Sequence, residues 1–227
     1  SLESIAVIDA SFEVPRYGVV HNNKAYVTNL GSFGSTTDDF ISVINLDTYE
    51  VESNIPVNAI ANEIFIANEK LIVQNSAFSD GSTVSIINPT SGEIDEVIEV
   101  GDGLNSMALT NNQLFTLSSS QFSEIDLSNF SIQESLNLPA EAQGATNLRL
   151  DANQLYYNIG NSIYSNTIEQ INFTEEALFE YGIDSFYGFN VKDEQIYMAD
   201  AGDFASNGNI YVLDLSGNLL FETEVDL

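Results

Sequence analysis

Apolar and polar positions alternate with period two through most of this chain, and a polar pair followed by apolar residues recurs along it. The instances are Asn23-Lys24-Ala25-Tyr26-Val27, Glu69-Lys70-Leu71-Ile72-Val73, Asn112-Gln113-Leu114-Phe115, Asn153-Gln154-Leu155-Tyr156 and Glu194-Gln195-Ile196-Tyr197. The Lys or Gln stands at 24, 70, 113, 154 and 195, in steps of 46, 43, 41 and 41 residues. A second marker follows each: Val43-Ile44-Asn45-Leu46-Asp47, Ile86-Ile87-Asn88-Pro89, Glu124-Ile125-Asp126-Leu127 and Val212-Leu213-Asp214-Leu215. The fourth unit keeps it only in degraded form, around Ile163-Tyr164-Ser165. A third marker is an alternating run that closes the unit, as over residues 51–57 and 94–100. Such alternation, broken by turns like Ser91-Gly92 and Ser216-Gly217, predicts half-buried antiparallel strands.

Each unit therefore reads as four strands, A innermost to D outermost. A four-stranded sheet with two apolar faces cannot hide both alone, so the units must stack on one another. A period of about 40–45 residues is that of one propeller blade. The expected fold class is all-β: a β-propeller of four-stranded antiparallel blades, five of them visible, with a β-sandwich or open solenoid as alternatives. The expected organisation is one domain over 1–227, with a leftover strand within 1–16 and repeats at 17–57, 58–101, 102–143, 144–182 and 183–227. The leftover strand, over residues 4–10, has no vacant place in a closed ring of five. It is expected to be the D strand of an earlier blade; the alternative is a fifth strand fastening the last blade.

Charge narrows the function. The chain carries 34 acidic and 5 basic residues among its 227, a formal charge of -29. A DNA-binding surface neutralises about 6–10 phosphates, more than Arg16, Lys24, Lys70, Arg149 and Lys192 together supply. Nucleic acid is excluded as a partner, and so is an anionic membrane surface. No stretch approaches the roughly 20 apolar residues of a spanning helix, so direct membrane insertion is not expected. Cysteine is absent, which removes disulfides, thiolate nucleophiles and cysteine metal sites.

Tyr26-Val27-Thr28-Asn29 followed by Ile41-Ser42-Val43-Ile44-Asn45-Leu46-Asp47 resembles the YVTN repeat of YncE-like propellers. Further likeness lies in Pro15-Arg16-Tyr17, Val100-Gly101-Asp102-Gly103-Leu104-Asn105-Ser106-Met107 and Phe186-Tyr187-Gly188-Phe189. It continues through Ile196-Tyr197-Met198-Ala199-Asp200-Ala201-Gly202-Asp203-Phe204 and Asn207-Gly208-Asn209-Ile210-Tyr211. In this order the motifs resemble the bacterial surface-lipoprotein subfamily that includes the BtuG-type cobalamin binders. The resemblance implies the C-terminal five blades of a larger propeller, a seven-bladed ring by the count of its relatives, which carry about two more blades after a lipidated cysteine. It also implies a location on the extracellular face of the outer membrane, anchored through residues outside this sequence. A cobalamin-like organic ligand and an outer-membrane transporter are the partners it implies.

Loops carry function on rigid scaffolds, and in a propeller the D–A and B–C connections share one face. The B–C set is expected at residues 29–39, 75–82 and 200–208, and the D–A set at 15–17, 62–63, 102–105 and 184–187. Expected ligand-binding residues are Arg16, Tyr17, Phe33, Asn62, Glu63, Phe78, Asn105, Asp184, Tyr187, Asp203 and Phe204. Exposed aromatics among Asn, Asp and Ser suit a polar organic ligand or a protein partner. Arg16 suits a carboxylate or phosphate; the alternative is an internal ion pair with an acid such as Glu63. No metal, cofactor or catalytic residue is expected. Asp38-Asp39 and the Asp200 and Asp203 pair offer oxygens to calcium but lack a fuller ligand pattern. His21, the one histidine, is expected on the opposite face. The leading expectation is a non-enzymatic, ligand-binding surface propeller. The alternatives are a protein–protein interaction subunit and a calcium-dependent hydrolase built on Glu63, Asn105, Asn147 and Asp184.

Overall fold

The recurring polar pair marks the end of a turn, and its Lys or Gln opens the second strand of the unit. Asn22 and Asn23 have φ of 47° and 60°, Asn68 and Glu69 of 48° and 60°, Asp193 and Glu194 of 52° and 61°. Two successive positive φ values make the type I′ turn, whose twist matches that of the strands it joins. The second marker is a turn capped by its own Asx residue. Asn45 Oδ1 accepts the Asp47 and Thr48 amides, and Asn88 Oδ1 those of Thr90 and Ser91. Asp126 and Asp214 do the same for Ser128 and for Ser216 and Asn218. The sequence period is thus a period of turn chemistry.

The computed structural model describes residues 4–8, 12–32, 34–78, 80–110, 112–173, 176–182 and 186–226. They form five four-stranded antiparallel sheets in a propeller arrangement, each with its strands in chain order from the inside out. Blade I is β1 (Pro15–His21), β2 (Lys24–Asn29), β3 (Phe40–Asn45) and β4 (Glu50–Pro56). Blade II is β5 (Ile64–Ala67), β6 (Lys70–Ala77), β7 (Asp80–Ile87) and β8 (Ile94–Glu99). Blade III is β9 (Ser106–Leu109), β10 (Gln113–Leu117), β11 (Gln121–Asp126) and β12 (Ser131–Asn137). Blade IV is β13 (Thr146–Asp151), β14 (Gln154–Ile159), β15 (Ser162–Thr167) and the two-residue β16 (Phe179–Glu180). Blade V is β17 (Phe186–Lys192), β18 (Gln195–Asp200), β19 (Gly208–Asp214) and β20 (Leu219–Val225). A single 3-10 turn, Ala140–Ala142, is the one helical element among the described residues.

Alternation along each strand sends side chains to both neighbouring blades. In β6, Leu71 and Val73 pack toward blade I with Tyr26, Val43 and Ile55, whereas Ile72 packs toward blade III with Leu114 and Ile125. Phe115, Leu117 and Phe122 of blade III meet Leu155 and Tyr157 of blade IV. Tyr156 and Ile163 turn the other way, onto Phe189, Ile196 and Met198 of blade V. The degraded fourth unit has a physical counterpart: its outer strand is cut to two residues, and the preceding loop sends Phe173 into the blade III–IV junction instead, against Phe122 and Tyr157.

Four junctions are sealed this way; among the described residues no buried apolar cluster joins blade V to blade I. The side of blade V away from blade IV carries the cross-strand row Tyr197, Val212 and Phe221. Tyr197 is 40% and Phe221 56% exposed, and every residue of β20 is exposed.

Two expectations are corrected. Residues 4–8 form no strand, and Ile5 and Val7 stand 82% and 84% exposed, because no strand of the described residues pairs with them. Residues 9 and 10, the rest of that expected strand, lie outside the described residues. The segment 75–82 is not an open loop. β6 and β7 extend through it as a paired hairpin, with a register shift between Asn75 and Ala77.

Candidate functional site

In blades I and II the B–C connection is tied to the D–A connection that follows it, which fixes one loop-bearing face. Asp39 is 2% exposed; its carboxylate accepts the Gly31 amide at 3.0 Å and the Ala61 amide at 2.8 Å, while its carbonyl takes the Val57 amide. In blade II, Gly81 O accepts the amides of Gly103 and Leu104. Ser76 Oγ donates to Leu104 O from the same hairpin. The Asn of the YVTN-like motif is a strut as well: Asn29 Nδ2 donates to Ser42 Oγ, and Asn29 Oδ1 accepts the Glu13 amide. In the second unit Asn75 takes the place, accepting Ser85 Oγ and Thr83 Oγ1 and donating to Ile60 O.

Four of the expected residues meet on this scaffold. Phe78 sits at the tip of the blade II hairpin with φ of 54°, and 77% of it is exposed. The Arg16 guanidinium lies 5.6 Å from the Phe78 ring centroid and 5.8 Å from that of Tyr17. Asn62 orients it, accepting from Arg16 Nε at 3.3 Å while its own Nδ2 donates to Gln74. Tyr17 is held by its amide on Thr28 Oγ1. Beside this group runs a largely apolar groove of about 440 Å³, walled by Val14, Leu30, Ile60, Ala77 and Phe78, with Asp80 also in its lining.

Arg16 does not pair with Glu63. Among the described residues the ion pairs are His21–Glu69, Lys24–Glu52 and Lys70–Asp95, so Arg16 meets no carboxylate of the described residues. Glu63 lies instead in the central channel, a cavity of about 510 Å³ lined also by Phe65, Met107, Leu148, Arg149 and Asn190. The innermost strand of each blade has an edge without a strand partner, and carbonyls on such an edge need donors. Arg149 supplies them, from Nε to Phe189 O at 3.0 Å and from Nη1 to Leu148 O at 2.8 Å. No spacing in the sequence signals that role.

Loss of hydration in the channel raises the Glu63 carboxyl above its ordinary range, although the Arg149 charge and the Met107 amide pull it back. A carboxyl raised on folding contributes stability fully below its unfolded pKa, and that contribution is lost as pH rises through the folded value. Glu63→Gln is therefore expected to be more stable than the native chain at pH 7. Thermal unfolding from pH 7 to 4 checks this: the difference should close as the native carboxyl takes up its proton.

Tyr187 and Phe204 form a second exposed aromatic pair on blade V, ring centroids 6.2 Å apart, with exposures of 68% and 69%. Asp203 serves the loop: its Oδ1 accepts the Ala205 and Ser206 amides and Ser206 Oγ, which lower its pKa. Asp200 Oδ1 accepts the Gly202 amide. Hydrogen bonds from Ser35 and Ser32 hold Asp38 at about 2. These oxygens serve their own loops, and among the described residues no three His, Cys, Asp or Glu side chains converge. Asn105 is likewise a strut, donating to Ala145 O and accepting Ser106 Oγ, while Asn147 donates to Asn158. Phe33 and Asp184 lie outside the described residues. On the opposite face His21 contacts Glu69 at 3.1 Å, linking the inner turns of blades I and II.

Solved structures share this arrangement. A quinoprotein alcohol dehydrogenase-like protein of Bacteroides thetaiotaomicron superposes with a TM-score of 0.67 at 15% identity, over 99% of this chain and 57% of its own. BamB of Moraxella catarrhalis gives 0.57 at 13% identity, over 92% and 60%. The hydrazine synthase of Kuenenia stuttgartiensis gives 0.68 at 11% identity, over 100% and 70%. The chain folds as known β-propellers do. It spans about 60% of the length of the first of these structures, and at such identities the likeness shows the fold alone. No protein-family model and no curated protein sequence matches the chain.

Proposed function

We propose that this chain is a non-catalytic, ligand-binding propeller of a cell surface. The observation that carries this is the group on the long-loop face: an arginine without an acidic partner among the described residues, flanked by exposed aromatic rings and bordered by an apolar groove. Ligand pockets run to about 300–1,000 Å³, mostly apolar with a few placed polar groups, and the groove matches that description. The resemblance to surface-lipoprotein propellers supplies the finer proposal, capture of a cobalamin-like organic molecule for an outer-membrane transporter. Calorimetric titration with cobalamin, haem and oligosaccharides tests it. Binding that Phe78→Ala weakens is expected; silence across the panel counts against the whole idea.

A second proposal is a protein-interaction subunit, favoured by the exposed row on blade V. Leu219, Leu220 and Phe221 are each more than half exposed, and contiguous apolar surface of this kind marks interaction sites. Under it, substitutions at Phe221 rather than at Phe78 would abolish co-purification with a membrane complex.

A further inference from the structure

We infer that the groove beside Arg16 takes an organic monoanion, with its carboxylate on the guanidinium and its apolar body along Phe78. The inference rests on reading the long-loop face as a ligand-binding surface, and it names the ligand class. Three observations lead to it.

First, Arg16 is an exposed cation that no acid of the described residues neutralises. Its Nε is spent on Asn62, and among the described residues both terminal nitrogens keep their donors free. A guanidinium presents those donors as a fork that matches the two oxygens of a carboxylate. Rings of Phe78 and Tyr17 flank it without blocking those nitrogens by any hydrogen bond, and their faces attract its charge.

Second, the groove shares Phe78 with this group and continues into Val14, Leu30, Ile60 and Ala77. A ligand that reaches both places must be polar at one end and apolar along its length.

Third, charge limits the ligand to a single negative group. Asp80 and Asp39 both line the groove, the Asp39 carboxylate being engaged with the Gly31 and Ala61 amides. Against a net charge of -29, one local cation offsets one charge, and a polyanion would meet repulsion everywhere else.

The test is calorimetric titration of the native chain, Arg16→Gln and Phe78→Ala with decanoate and with decanamide, the same body without the charge. Arg16 and Phe78 are both exposed, so unchanged thermal unfolding should accompany both substitutions. The native chain is expected to bind decanoate at least ~10-fold more tightly than decanamide, the scale of one lost charge-assisted hydrogen bond. Arg16→Gln should remove that preference, and Phe78→Ala should weaken both ligands together. No decanoate binding, no preference in the native chain, or a preference that survives Arg16→Gln would each overturn the inference. Cobalamin, haem and oligosaccharides in the same series separate it from the broader proposal. If one of them binds and Phe78→Ala weakens it while decanoate is silent, the monoanion is wrong and the ligand-binding face stands. Silence from every compound overturns both.

Discussion

Gly81→Ala is expected to lower Tm by about 6–20 °C and to abolish binding in the Phe78 groove. At Gly81 φ is +105°, where a side chain is strained whatever the space around it, and here there is none. An added Cβ would stand 2.1 Å from Asn75 O and 2.9 Å from Ser76 Cα, both backbone atoms that belong to the paired strand. The carbonyl of Gly81 also takes two amides from the loop that leads into blade III. Backbone strain of this kind costs about 1–3 kcal/mol. With the clash and the displaced hydrogen bonds the loss reaches about 3–5 kcal/mol, at roughly 2–4 °C per kcal/mol for a chain of this size. Gly144 provides the comparison: its φ is +89° but nothing lies within 4 Å of the added carbon. Gly144→Ala should therefore cost only the backbone term, about 1–2 kcal/mol. Differential scanning calorimetry on the two variants separates strain from clash.

Phe122→Ala should cost about 3–5 kcal/mol, again a fall in Tm of roughly 6–20 °C. Phe122 is 1% exposed, its ring 5.9 Å from that of Phe115 and 5.5 Å from that of Phe173. It holds blade III to blade IV, and removing it leaves a cavity between two rigid sheets that cannot collapse onto it. Phe221→Ala removes the same side chain from the uncovered side of blade V, where it is more than half exposed. That change should stay within about 0.5 kcal/mol. Equal costs for the two would mean that the blade V face is covered.

The blades were legible in the sequence because turn chemistry is local. Positive φ in a type I′ turn selects Asn and Asp, so Asn22-Asn23 and Asn68 announce their turns directly. Glu69 and Glu194, which take positive φ without that aptitude, were still found because their neighbours kept the period. Alternation at Ile5 and Val7 misled for a related reason. It specifies the two faces a strand would have, and says nothing of whether a sheet edge is there to receive it.

The site was legible only in part. Arg16, Tyr17, Asn62 and Phe78 converge because D–A and B–C loops share a face, a property of the fold class. Glu63 stands one residue beyond Asn62, yet it turns into the channel toward Arg149. That divergence depends on the side of the inner strand each residue takes, which composition does not encode. The groove wall escaped notice because Val14, Leu30 and Ile60 are ordinary apolar residues, brought side by side by loops of two different blades.

Hydrogen exchange of the unliganded chain is the most direct test of how the blades hold one another. Blade III is packed on both sides, through Leu114 toward blade II and Phe115 toward blade IV, whereas blade V is packed on one among the described residues. Amides of β10 and β11 should exchange at least ~100-fold more slowly than those of β18 and β19, because local opening tracks buried apolar contact. Protection of β18 and β19 equal to that of β10 and β11 would contradict an uncovered blade V, and with it the open junction described above.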